Sequence, residues 1–161
     1  MKNYGVYNNE KRLQALQAYA ITDTDSEKVF DEIVAEAAAI TGCTLAALTF
    51  VDDSRTWVKA STQTLPRFVG NDESFCTYGV LEPELMEVYD ASKDERFLHL
   101  PAVQAGQIKY YAGAQVQSTE GLALGMLCVT HEKQYRLTAL QRRQLTDLAA
   151  RVSALLELRL V

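Results

Sequence analysis

KYYAGAQVQSTEGLALGMLC, residues 109–128, opens with two tyrosines, turns at Glu120-Gly121 and returns as a nearly uncharged run that holds a methionine and a cysteine. Extended by a few residues on each side, it becomes two alternating segments, IKYYAGAQVQ and LALGMLCVTH, separated by a glycine-containing turn. That pattern predicts a β-hairpin. Gly125 inside the second strand marks a bulge or a close backbone approach. Because neighbours on a strand point to opposite faces, Tyr110 and Tyr111 cannot share a side, whereas Met126 and Cys128 must. One tyrosine is expected to face a helical layer and the other a cavity, and the alternation does not say which.

Working outward, Thr44–Val51 (TLAALTFV) is apolar on both faces, as a central strand covered on both sides would be, and Asp52-Asp53-Ser54 turns it into a second strand, RTWVKAST. Trp57 lies on the edge of this first hairpin, equally open to packing or to lining a cavity. Residues 62–105 read as an irregular segment with a short helix around SFCTYG, a strand at LMEVYDA and helical turns in DERFLHLPAV; connections this long tend to carry function. At the N-terminal end, NEKRLQALQAY has helical spacing, and Thr24-Asp25-Ser26-Glu27 has the form of a capping box in front of a second helix closed by Gly42. At the other end, Thr138 and Gln141 form a second such box before a long helix to about Leu160, whose apolar arc is wider than one stripe and invites a partner. The expectation is one α+β domain over 1–161: helices in 9–40, a five- or six-stranded antiparallel sheet in 44–130 with residues 62–105 as a roof over one face, and a helix in 138–160 that joins the N-terminal helices on the other face.

Composition narrows the function. The chain is 161 residues long, 48% hydrophobic and 23% charged, and no apolar run approaches the roughly 20 residues that span a bilayer. The first residues, MKNYGVYNNEKR, lack the apolar core of a signal peptide, so a cytoplasmic location is expected, and the cysteine usage agrees. Cys43, Cys76 and Cys128 are too few and too scattered for a disulfide framework or a zinc site. A net charge of −5 with dispersed basic residues argues against nucleic acid. His99 and His131 have no acidic partner at metal spacing, and no nucleophile elbow occurs.

The motifs NEKRLQAL, ITDTDSEKVFD, FVDDSRTWVKA, SFCTYGV, VYDASKDERFLHLPAV, IKYYAGAQV and GLALGMLCVTHEKQYRL follow one another as they do in a bacterial signalling subgroup of the GAF domains. By this resemblance, which covers nearly the whole chain, the protein is similar to sensory modules found in phosphodiesterases, cyclases, phytochromes and bacterial signalling proteins. The resemblance implies a PAS-like fold with a ligand cavity under the roof, output through terminal helices that pair two copies, and a helix that in relatives continues into an effector. The chain is then either a stand-alone module or a fragment cut before its effector.

Eleven residues are cavity candidates. Phe75 and Cys76 stand in the SFC motif, with Tyr78 where the subgroup usually has histidine; they are either core or, for Cys76, an exposed thiol of lowered pKa. Asp90, Asp94, Arg96 and Phe97 belong to the roof. Asp94 is expected to cap the DERF turn, while Arg96 holds a carboxylate, Asp90 for example, or else a ligand anion. Tyr110, Tyr111, Met126 and Cys128 complete the set, each with core packing as its plainer reading. The resemblance supplies no cofactor and no ligand. Weighed together with these residues, it leads to the expectation of a non-enzymatic, small-molecule-binding regulatory module; the alternatives are a ligand-free dimerisation module with a filled cavity and a reductase of free methionine sulfoxide. The reductase lineage carries a G-V-C-G run that is absent here, and the bilin-binding lineage a Cys-His pair that is also absent.

Overall fold

The computed structural model describes residues 9–160; part of the N-terminal stretch read above for a leader lies outside them. Asn9 starts the first helix, α1 (Glu10–Tyr19), by accepting from the amide of Lys11 at 2.9 Å, and Ala20 ends it in the left-handed region at φ +51°. The second helix, α2 (Lys28–Thr41), stops at Gly42 with φ +71°. Its expected capping box does not form. Thr24 instead donates to the Ile21 carbonyl at 2.5 Å and accepts from Lys59 at 2.7 Å, while Glu27 reaches Lys59 at 2.7 Å and Arg159 at 2.9 Å. The physical reason is Lys59, whose side chain is wholly buried: its ammonium needs a carboxylate and an oxygen more than the helix end needs a cap.

The strands are β1 (Leu45–Val51), β2 (Arg55–Ser61), β3 (Phe68–Gly70), β4 (Met86–Val88), β5 (Tyr110–Gln117) and β6 (Ala123–His131). They form one antiparallel sheet in the order β3-β2-β1-β6-β5-β4. Of the segment expected to be loop, residues 68–70 join the sheet as its outer strand. A bulge in β2 opposite Leu48 and Thr49 leaves Lys59 without a ladder partner and turns its side chain toward α2. Gly125 is a close approach, as the sequence suggests: a β-carbon there would lie 1.9 Å from the Thr49 carbonyl oxygen.

Alternation divides the strands between two layers. Leu48, Phe50, Tyr110, Ala112, Leu127 and Val129 pack with Phe30, Ile33, Leu145, Leu148 and Val152, the last three from the long helix α5 (Ala139–Glu157). Thr138 and Gln141 form their capping box at its start. Leu155, part of the wide apolar arc, is partly covered by this same core, whereas Leu140, Leu158 and Leu160 stay exposed. The opposite face meets the roof, which contains the single-turn helices α3 (Cys76–Gly79) and α4 (Pro101–Gln104). Among the described residues, no helix is long and apolar enough to cross a membrane.

Candidate functional site

The register places Ala47 beside Cys128 and Cys128 beside Gly113, so three neighbouring strands present small side chains to the roof in one row. The row leaves space. Between it and the roof lies a cavity of about 730 Å³ with contributions from β1, β2, residues 63–66, residues 73–76, residues 100–108 and the end of β6. Its apolar surface comes from residues such as Leu45, Val58, Phe75 and Ile108, and its polar surface from the hydroxyls of Thr49, Thr56, Ser74 and Thr130 and the amides of Gln63 and Gln107. Glu73 and Glu132 line it as well, and among the described residues the lining contains no lysine, arginine or histidine.

Tyr111 shapes the floor. Gly113 lets its ring lie along the sheet, since a β-carbon at that glycine would stand 2.6 Å from the Tyr111 hydroxyl. The ring stacks on Phe75 at 4.8 Å, Phe75 stacks on Phe97 at 4.4 Å, and Tyr78 meets Phe97 edge-on at 5.2 Å. The Tyr111 hydroxyl is then 3.5 Å from the Cys76 sulfur, Thr49 Oγ1 donates to the same sulfur at 3.1 Å, and the Cys128 thiol, on the same wall, donates to the Ala47 carbonyl at 3.6 Å. These neighbours favour the Cys76 thiolate: the Cys128 thiol first, then, against the opposing effect of burial, Thr49 and Tyr111, so the Cys76 pKa falls below that of an ordinary thiol. The Cys76 sulfur beside it and its own burial push the Cys128 thiol well up.

Of the eleven sequence candidates, Phe75, Cys76, Tyr111 and Cys128 line the cavity together. Met126 faces the same side but packs against Gly79, and Tyr78 and Phe97 back the lining from the roof core. Tyr110 faces the helices, which resolves the tyrosine question and corrects its place among the cavity candidates. Asp90, Asp94 and Arg96 border a separate surface hollow formed by residues 87–96. The expected Arg96–Asp90 pair is also corrected. Arg96 holds Asp94 in a two-point contact at 2.7 and 3.0 Å, while Asp90 accepts from Ser92 and from Gln134 at 2.7 Å. Asp94 sits two residues from Arg96, so the local turn closes the pair before a more distant carboxylate can compete. Trp57 is buried on the helical side.

The sequence reading overlooked Thr49 and Glu87. Thr49 was detectable as the polar residue among Ala47 and Val51 on one face of an otherwise apolar strand. Glu87 was not, because its partners are remote in sequence: it accepts from the Tyr110 hydroxyl at 2.5 Å, Arg142 Nε at 2.8 Å and the Leu137 amide at 3.2 Å. Burial alone would raise this carboxyl, but the three donors outweigh it and hold the pKa below the usual carboxylate range. Glu87 thereby ties β4, at the edge of the roof, to the start of α5.

Comparison with known proteins bears on this site. A cyclic di-GMP phosphodiesterase of Pseudomonas aeruginosa is 37% identical over 118 residues, which are 70% of this chain but only 20% of that protein. The GAF domain of an Acinetobacter phosphoenolpyruvate-protein phosphotransferase superposes with a TM-score of 0.67 at 18% identity, covering 92% of this chain and 94% of that one. A type II free methionine-R-sulfoxide reductase from Thermoplasma acidophilum gives 0.64 at 12% identity, over 89% and 94% of the two chains. At these identities the solved structures speak for the fold alone. The model of the GAF domain matches residues 25–156, and the chain belongs to the GAF domain family.

Proposed function

We propose that this chain is a regulatory module of bacterial signal transduction that binds an uncharged or cationic small molecule between the sheet and the roof and acts by binding. The cavity carries this reading. Its volume of about 730 Å³ lies within the usual range of ligand pockets, and the aromatic residues that would have to pack it solid for a purely structural module instead line its wall. The charge of the lining supports the ligand class: an anion would meet Glu73 and Glu132 with no opposing cation among the described lining residues. A cyclic dinucleotide, with its two phosphodiester anions, fits this cavity poorly. In this reading the phosphodiesterase activity named for the Pseudomonas relative, of which this chain matches a fifth, is not carried over to this chain.

Two polar links carry a roof movement to the helices. On one edge, Glu87 of β4 grips Arg142 of α5; on the other, Lys59 of β2 grips Glu27, which in turn holds Arg159 beyond the end of α5. A ligand that favours one roof position biases both links. Exposed Leu140, Leu158 and Leu160 give α5 and its extension an apolar surface for a second copy or an effector.

Mass spectrometry of compounds released on denaturing the freshly purified protein tests the proposal. A stoichiometric neutral or cationic compound is expected; a stoichiometric anion would contradict the ligand class. Release of nothing, from a protein that is dimeric in solution, would favour the ligand-free dimerisation module.

A further inference from the structure

The chain holds three buried cysteines in two environments. Cys43 sits in the helical core, where burial pushes its thiol up to about 11. Cys76 and Cys128 are also free and buried by the chain, yet both contribute to the wall of the cavity. They come from different elements, one at the start of α3 in the roof and one on β6 in the sheet, and Tyr111 connects them: its hydroxyl is 3.5 Å from the Cys76 sulfur and lies against Gly113, the register neighbour of Cys128. Nothing in the ligand-binding reading uses this pairing of thiols. Apolar packing alone does not account for it either, because Thr49 donates its hydroxyl to the Cys76 sulfur at 3.1 Å and the Tyr111 hydroxyl lies 3.5 Å from it. Hydroxyl groups around one sulfur, with a second thiol on the same wall and open volume alongside, suit a reactive thiol and its resolving partner.

We propose that Cys76 and Cys128 form a peroxide-reactive dithiol site, in which a small hydroperoxide admitted to the cavity is reduced and the two residues close into a disulfide linking the roof to the sheet. In the first step the Cys76 thiolate sulfur attacks the terminal oxygen of the hydroperoxide. An S–O bond forms, the O–O bond breaks, and the departing alkoxide or hydroxide takes a proton to leave as an alcohol or as water. In the second step the Cys128 sulfur attacks the sulfenic sulfur of Cys76. The S–S bond forms, the S–O bond breaks, and the Cys128 proton leaves with the hydroxide as water. The two thiols have lost two electrons and the peroxide has gained them. A dithiol reductant from solution restores the pair by exchange and becomes a disulfide itself. Small size is what the site asks of the oxidant, since both sulfurs are buried at the wall. The product clamps α3 to β6, so the same roof that would respond to a ligand responds to oxidation.

The site needs no bound ligand, and its test is separate from that of the ligand. The folded protein is exposed to hydrogen peroxide, then denatured and alkylated, and its cysteine peptides are identified by mass spectrometry. Cys43 is an internal control. Expected are an intramolecular Cys76–Cys128 linked peptide, loss of free Cys76 at least about tenfold faster than loss of free Cys43, and full reversal by dithiothreitol. In Cys128→Ser, Cys76 is expected to stop as a sulfenic acid that dimedone traps; in Cys76→Ser, no linked peptide appears. Both replacements are nearly isosteric, and a circular dichroism spectrum like that of the parent confirms the fold. The proposal is overturned if Cys76 and Cys43 are lost at equal rates. It is equally overturned if Cys76 oxidises without ever linking to Cys128, or if linked peptides arise only between two chains.

Discussion

The two faces of the sheet are built from the same strands and differ in nearly everything else. On the helical side, consecutive strands present Leu48, Phe50, Tyr110, Leu127 and Val129, and α2 and α5 fill the spaces between them with large aliphatic side chains. On the roof side, the positions one residue away are Ala47, Thr49, Tyr111, Cys128 and Gly113, and the covering layer consists of single turns and irregular chain. Alternation with a period of two lets one strand serve both needs. The difference teaches that stability and chemistry here are divided by face and not by region of sequence: Leu127 belongs to the scaffold, and Cys128, its neighbour, to the site.

The sharpest way to break this comparison is to truncate those two neighbours. Leu127→Ala opens a void in a closely packed layer and is expected to cost about 2–5 kcal/mol in urea unfolding. Cys128→Ala enlarges a cavity that already exists, and its cost is expected below about 1 kcal/mol, since few atoms lose a packing partner. Equal losses would show that the roof face is as tightly packed as the helical one.

The next effect belongs to the edge where the faces are joined. The Glu87 side chain is only 8% exposed, and its carboxylate serves three donors from β5, α5 and the turn before it. Glu87→Gln removes the charge and should cost about 2 kcal/mol at neutral pH, because Arg142 and Tyr110 lose a charged acceptor. The sign with pH follows from the lowered pKa. The contribution of Glu87 is complete above the ordinary carboxylate value of about 4.3 and disappears as pH falls through the lower folded value, so parent and variant should converge in acid. Urea unfolding at pH 7 and near pH 3 measures this. A difference that persists unchanged in acid would assign the loss to packing.

How much of this was legible in the sequence differs by face in the same way. The strands of the central hairpin, the C-terminal capping box and the close approach at Gly125 were readable because each rests on neighbours within a few residues. The fold as a whole was readable too, because the order of motifs carried the family. Failures came where partners lie far apart along the chain: the Thr24 box gave way to a lysine 35 positions on, and the three-residue strand β3 has too little sequence to show a period. At the site, alternation said that Met126 and Cys128 share a face but not that Met126 would be absorbed under Gly79 while Cys128 reached the cavity. The acid and arginine of the DERF turn drew attention as chemistry and are a local ion pair, whereas Thr49, a modest hydroxyl in an apolar strand, donates to the Cys76 sulfur at the cavity wall.

Thr49 supplies the finest test of the division between faces, because its effect on stability should be slight while its effect on the site is distinct. Thr49→Val keeps the branched shape and removes one donor from the Cys76 sulfur, so the thiolate loses support and its pKa should rise toward that of an ordinary thiol. Below that value the variant holds less thiolate than the parent at any given pH. Iodoacetamide labelling of Cys76 in the folded protein should therefore slow by roughly threefold or more near pH 7, and its pH profile should move to higher pH. The profile is the informative part. A uniform slowing with an unmoved midpoint would mean that valine merely obstructs the reagent, whereas a displaced midpoint that converges with the parent at high pH would mean that the hydroxyl acts on the sulfur itself.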